Sequence, residues 1–290
     1  MRINKVSWII TFIVLPTLTW ANEIEVKKAS AEIAYLQLTD QYWQIWITDP
    51  LGRSPRQVTQ DKIDNTRISW YPDRQSLLAN RSDGRLVRVD VQNGNVQPLT
   101  LPMEGMFDAQ LDPSGQWIAF SVPSSRPDTN NLWKVRLDGA ELTKLTHQPG
   151  LQLAPSWGMQ SQHITYIGLK LNARNQLWSL DVTTGTQKQL TVGKISNHFD
   201  PVYNIHGDIA YSKDQQGHYD LWMIEAKTQK TRALTQAQGF EGEPTWAPSG
   251  DELAYIAVNQ NKRQLKVIDK QGSNSRVVVE GKVRGPAWWR

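Results

Sequence analysis

The feature that most constrains this chain is a phrase that returns along it at intervals of 41 to 46 residues. It is clearest as Glu243-Pro244-Thr245-Trp246-Ala247-Pro248-Ser249-Gly250, then Leu253-Ala254-Tyr255, then Gln264-Leu265, then Asp269. The anchor in the Trp246 position recurs as Trp70, Leu111, Trp157, Tyr203, Trp246 and Trp288, with separations of 41, 46, 46, 43 and 42 residues. A period of this size marks a supersecondary unit that buries its apolar face only against its neighbours, so the 290 residues are read as an array and not as two ordinary domains.

Each phrase reads as four short strands. A second strand follows the anchor closely, as Leu77-Leu78-Ala79, Ile118-Ala119-Phe120, Ile164-Thr165-Tyr166, Ile209-Ala210-Tyr211 and Leu253-Ala254-Tyr255. Pro72, Pro113 and Pro248 preset φ for the type I turn between the two. The third strand carries Ile45-Trp46, Leu86-Val87, Leu132-Trp133, Leu177-Trp178, Leu221-Trp222 and Leu265-Lys266. The fourth ends in Val58-Thr59, Leu99-Thr100, Leu145-Thr146, Leu190-Thr191 or Leu234-Thr235. Pro155, Pro201, Pro244 and Pro286 cannot donate to a ladder, which places the first strand of each unit at a sheet edge. The in-phase aromatics are therefore structural, filling the wedge between neighbouring units.

The array closes on itself. Ile33-Ala34-Tyr35, Ile45-Trp46 and Val58-Thr59 supply three strands with no Pro-x-Trp before them, while Gly285-Pro286-Ala287-Trp288 is a lone first strand at the other end. The fold expected is an all-β, six-bladed β-propeller of four-stranded antiparallel blades over residues 31–290, with the C-terminal strand completing the N-terminal blade. Closure removes the open edges that an unclosed stack would present.

The sequence Pro-x-Trp-(Ser/Ala)-Pro-(Asp/Ser)-Gly, then Ile-Ala-(Tyr/Phe), then Leu-Trp-x-x-Asp, then Leu-Thr resembles the repeats of the TolB-like propeller family, over roughly residues 31–290. The resemblance implies a propeller fold and a non-catalytic, partner-binding role in the cell envelope, in the family's case toward a peptidoglycan-associated lipoprotein. No motif carries those contacts onto residues of this chain. Related repeats occur in dipeptidyl and prolyl oligopeptidases, so the phrase speaks to fold more than to function. The α/β domain that precedes the propeller in TolB is not expected here.

Arg2 and Lys5 precede the apolar run from Val6 to Leu15, and Thr19-Trp20-Ala21 offers small residues where a signal peptidase reads. A cleaved signal peptide over 1–21 is expected, followed by a short segment over 22–30 and a periplasmic location. The apolar run is shorter than the ~20 residues a membrane span needs, so no stable membrane insertion is expected after cleavage. Net charge is +4, and loss of Arg2 and Lys5 leaves +2. Both signs are interspersed along the chain, which argues against nucleic acid as a partner. The absence of Cys excludes disulfides, thiolate metal sites and a catalytic thiol.

Nucleophile elbows, phosphate loops, His-Glu-x-x-His and EF-hand spacings are absent from the sequence, and no catalytic residue or resident cofactor is assigned. The candidate site lies where each unit enters the central channel, just before the Pro position: Arg67, Asp108, Ala154, Asp200, Glu243 and Gly285. Pseudo-symmetry gathers Asp108, Asp200 and Glu243 around one mouth with Arg67 opposite and His198 and Glu241 nearby. This predicts a negative potential able to hold a channel-bound cation or a basic peptide group; any metal would sit on Asp108, Asp200 and Glu243. The competing reading is that these acids accept neighbouring backbone N–H groups and simply hold the blades. Tyr42 and Trp43, with the loops 127–130, 170–174 and 259–263, complete the expected face for an envelope protein or peptide. The rival function is a cation-dependent small-molecule hydrolase or lyase at the channel.

Overall fold

The computed structural model describes residues 32–126, 128–170, 173–215 and 217–289. The expected signal peptide over 1–21 and the segment over 22–30 lie outside the described residues. Among the described residues every regular element is a strand. In chain order these are β1 (Ile33–Thr39), β2 (Tyr42–Thr48), β3 (Arg56–Gln57), β4 (Asn65–Trp70), β5 (Ser76–Arg81), β6 (Leu86–Asp90), β7 (Val96–Pro98) and β8 (Phe107–Leu111). They continue as β9 (Trp117–Pro123), β10 (Asn130–Arg136), β11 (Thr143–Lys144), β12 (Leu151–Trp157), β13 (His163–Leu169), β14 (Gln176–Asp181), β15 (Gln187–Gln189) and β16 (His198–Tyr203). The last are β17 (Ile209–Gln215), β18 (His218–Ile224), β19 (Thr231–Ala233), β20 (Phe240–Trp246), β21 (Glu252–Asn259), β22 (Lys262–Asp269), β23 (Arg276–Glu280) and β24 (Val283–Trp288).

The strands form four-stranded antiparallel blades of a propeller. β24 pairs with β1, Ile33 opposite Trp288 and Gln37 opposite Val283, so the tail of the repeat array completes the sheet begun at its head. The repeat predicts six separate sheets, whereas the hydrogen-bonded sheets among the described residues are four of four strands and one of eight. The larger sheet arises because Tyr219 and Phe240 form a parallel bridge that joins β16–β19 to β20–β23. Those two rings also lie against each other, with centroids 5.4 Å apart.

The core is divided among clusters that each bridge consecutive units. One contains Ile33, Tyr35 and Trp288 packed with Ala254, Leu265 and Val267, which joins the last unit to the first. Trp157 and Trp246 are fully buried in these wedges, and each contributes about 2 to 3 kcal/mol by burial alone. Their indole N–H groups also reach the preceding inner strand: Trp157 Nε1 donates to Gln110 O at 3.2 Å and Trp246 Nε1 to Val202 O at 3.1 Å. Trp70 Nε1 does the same to Ala287 O at 2.9 Å, across the junction of head and tail. The in-phase Trp is thus both filler and clamp between the inner strands of neighbouring units.

The recurring Leu-Thr phrase has an equally local cause. The hydroxyls of Thr59, Thr146, Thr191 and Thr235 accept the backbone N–H of Ile45, Leu132, Leu177 and Leu221, each at 2.9 Å. Each pair is separated by 14 residues, so one hydroxyl ties the end of the outer strand to the start of the third.

Candidate functional site

The inner strands β4, β8, β12, β16, β20 and β24 surround a cavity of about 520 Å³. Its lining includes Arg67, Asp108, Ala154, Asp200, Glu243 and Gly285, so the six positions aligned from the repeat do meet in one channel. A register shift interrupts the ladder of every inner strand near these residues. Asp108, Ala154, Asp200, Glu243 and Gly285 all take left-handed backbone, with φ between 50° and 55°. An alanine and a glycine adopt the same conformation as three acids. The bulge therefore belongs to the construction of the blade, and it re-aims whatever residue stands there.

The bulges free backbone N–H groups, and the acids accept them. Asp108 Oδ2 accepts the Ala154 N–H at 3.2 Å, Glu243 Oε2 accepts that of Gly285, and Asp200 accepts that of Glu243. Each carboxylate thereby latches the inner strand of the next unit. Arg67 Nη2 donates to Pro155 O at 3.1 Å and lies 4.0 Å from Asp108. Arg263 Nη2 donates to Glu243 Oε1 at 3.0 Å, so this member of the 259–263 loop is engaged with the wall.

Asp200 is half-buried yet enclosed by protein, and its carboxyl is pushed up from 3.8 to about 6. Burial is the main cause and the field of Glu243 adds to it, while Arg67 and the Glu243 N–H act in the opposite direction.

Two expected members fall elsewhere. His198 is buried at 3% exposure, bonded through Nδ1 to Asn175 O at 3.1 Å and packed on Tyr211 with ring centroids 5.6 Å apart. Burial holds its pKa below the usual histidine range. Glu241 lines a separate cavity with Tyr255 and Lys266, and burial raises its pKa. The sequence places both near the mouth, two residues before Asp200 and Glu243. The bulges between Phe199 and Val202 and between Gly242 and Thr245 break the strand alternation there.

Trp43 is half-buried against the first core cluster, with Arg284 stacked 4.0 Å from its ring. Its backbone N–H donates to Asp64 Oδ1 at 2.8 Å, which ties the β1–β2 hairpin to the segment entering β4, while Tyr42 beside it is half-buried. Arg284 itself lines the channel and donates to Asn65 O at 3.0 Å. The sequence reading passed over Arg284 because the phrase aligns on Gly285. With it, the acids Asp108, Asp200 and Glu243 face two arginines, so the negative potential with one basic side expected from the sequence carries a second basic residue. Among the described residues no group of three or more His, Cys, Asp or Glu is placed to hold a metal.

The family profile described as TolB beta propeller domain matches residues 110–290. The chain belongs to this family. A TolB homologue of Chlorobium luteolum is 26% identical over 146 residues, which is 50% of this chain and 33% of that protein. The match thus spans about a third of the relative's length. The TolB structure from Acinetobacter baumannii superposes with a TM-score of 0.75 at 18% identity, covering 89% of this chain and 66% of that one. An oligogalacturonate lyase in complex with manganese gives 0.54 at 15% identity, covering 87% and 73%. At such identities the TolB and lyase structures speak to the shared propeller fold alone.

Proposed function

We propose that this TolB-like chain is a non-catalytic scaffold of the cell envelope, exported by a signal peptide over 1–21 to the periplasm. There its six-bladed propeller takes a protein or peptide partner on the face where the inner strands begin. The reading of six blades counts the eight-stranded sheet as two, since only the Tyr219–Phe240 bridge joins its halves. The observation that carries the functional reading is the use made of the channel acids. Asp108, Asp200 and Glu243 are occupied as acceptors for the N–H groups of neighbouring inner strands, a task of wall-building that suits a rigid docking surface.

A photo-crosslinking side chain at Gln41, in the β1–β2 turn beside the start of the inner strands, tests it. The same group at Thr184, in the β14–β15 turn at the opposite end of the strands, is the control. One discrete envelope protein captured in the native envelope from position 41 and not from 184 supports the reading. Equal capture from both faces, or from neither, overturns it.

One observation favours the catalytic alternative, a cation-dependent hydrolase or lyase: a channel carboxyl poised near 6 is suited to exchange protons at neutral pH. Turnover of an oligosaccharide or ester library that disappears in Asp200→Asn would establish it, and inert protein with a manganese or calcium supplement would remove it.

A further inference from the structure

The internal repeat supplies a control for its own irregularities. Between the β8–β11 and β12–β15 units, the cleft beside Tyr166 is closed by amides. Gln148 Nε2 donates to the Tyr166 hydroxyl at 3.4 Å, and that hydroxyl donates to Gln187 Oε1 at 2.6 Å. Behind them Gln152 Oε1 accepts from Asn131 Nδ2 at 3.0 Å and from Thr146 Oγ1 at 3.1 Å. Every polar group there has a partner of the right sign.

The corresponding cleft between the β16–β19 and β20–β23 units keeps the frame, with Tyr255 for Tyr166 and Thr235 for Thr146. The filling is different: Ala237 stands for Gln148, Ser275 for Gln187, Glu241 for Gln152 and Asp220 for Asn131. Losing two long amides opens a cavity of about 400 Å³, lined by Thr235, Glu241, Tyr255, Lys266 and Ser275 among others. Four amide side chains are gone, and carboxylates stand in place of two of them. Glu241 is 7% exposed, and although the hydroxyls of Thr235 and Tyr255 hydrogen-bond to its carboxyl, its Oε2 has no partner; Asp220 behind it is 8% exposed and accepts the Ala237 N–H at 2.7 Å. Lys266 reaches Glu241 only through its field, which leaves two buried acids beside one cation.

A guest that restores what this cleft lacks must bring both N–H donors and a positive charge. We propose that the Glu241 cleft binds a small primary amine in its ammonium form. An ammonium carries three donors in a compact head. Those donors match the open Glu241 oxygen and the hydroxyl oxygens of Thr235 and Tyr255, and the alkyl tail lies toward Ile268 and Leu234. A divalent metal fits less well, since no third carboxylate or histidine converges on the cavity among the described residues.

The full chain, titrated with n-butylammonium chloride and followed by amide NMR shifts, tests this, with sodium chloride and butanol as controls. Saturable shifts are expected at Thr235, Ala237, Glu241 and Ser275 and not around Tyr166, with none from butanol. Glu241→Gln should weaken binding roughly tenfold or more, as loss of a charged acceptor does. Ala237→Gln with Ser275→Gln, which copies the sibling cleft, should abolish binding while keeping or raising the melting temperature. Shifts that do not saturate, equal response to butanol, or unchanged affinity in Glu241→Gln or in the refilled variant each overturn the proposal.

Discussion

Asp200 gives the most quantitative test of the channel description. Its carboxyl is raised to about 6 from an ordinary 3.8, mainly by burial and then by Glu243. Below the ordinary value the group is protonated in both folded and unfolded chains and costs nothing. Between the two values only the unfolded chain releases the proton, so stability falls as pH rises, and above about 6 the whole penalty is present. The gap corresponds to ~3 kcal/mol at neutral pH, an upper figure because the channel admits water. Asparagine at this position removes the charge and keeps a carbonyl oxygen to accept the Glu243 N–H. Asp200→Asn should therefore be more stable than the wild type at pH 8, by up to ~3 kcal/mol, with the difference shrinking toward zero as pH approaches 4. Urea unfolding at pH 8, 6 and 4.5, with equal slopes in both proteins, measures it. A variant less stable than wild type at pH 8, or a gain that does not change with pH, would refute the assignment of a strained carboxylate.

Two further outcomes follow from the packing. Removing residues 283–290 deletes β24 and with it the pairing to β1 and the buried Trp288, so the melting temperature should drop and light scattering should rise on heating; an unchanged transition argues against ring closure. Trp246→Ala should cost about 3 to 5 kcal/mol by chemical denaturation, whereas Trp133→Ala, on a half-buried third-strand ring, should cost clearly less; equal losses would sink the distinction between clamp and edge.

The fold was legible because its determinants repeat. Trp157 and Trp246 stand in the same phrase and do the same work, so six in-phase copies announce the wedge before any coordinates are known. The gathering of Arg67, Asp108, Asp200 and Glu243 in one channel was legible for the same reason. What alternation could not supply was the bulge. Asp108, Ala154 and Gly285 share a left-handed backbone but no side-chain chemistry, so nothing in their composition announces it. At these bulges His198 and Glu241 lie off the channel, while Arg284 lines it. The five-sheet hydrogen-bond pattern was equally hidden, because it turns on one bridge between Tyr219 and Phe240.

Pseudo-symmetry also changes what counts as a signal of function in such a chain. A feature present in most units, such as the left-handed residue in the channel or the Thr hydroxyl at the outer strand, is explained by the need to build a blade, whatever its residue type. Asp108 and Glu243 pass this test as structure: each meets an N–H that its neighbour's bulge exposes. Glu241 does not pass it. Its counterpart Gln152 lies in a satisfied network, and the same frame around Glu241 holds an acceptor that its own blade leaves open. A buried carboxylate oxygen without a donor costs more than the neutral amide it stands for, and nothing in blade construction requires it. The departure from the repeat, more than the repeated channel, is therefore where a selected interaction with a small ligand leaves its mark.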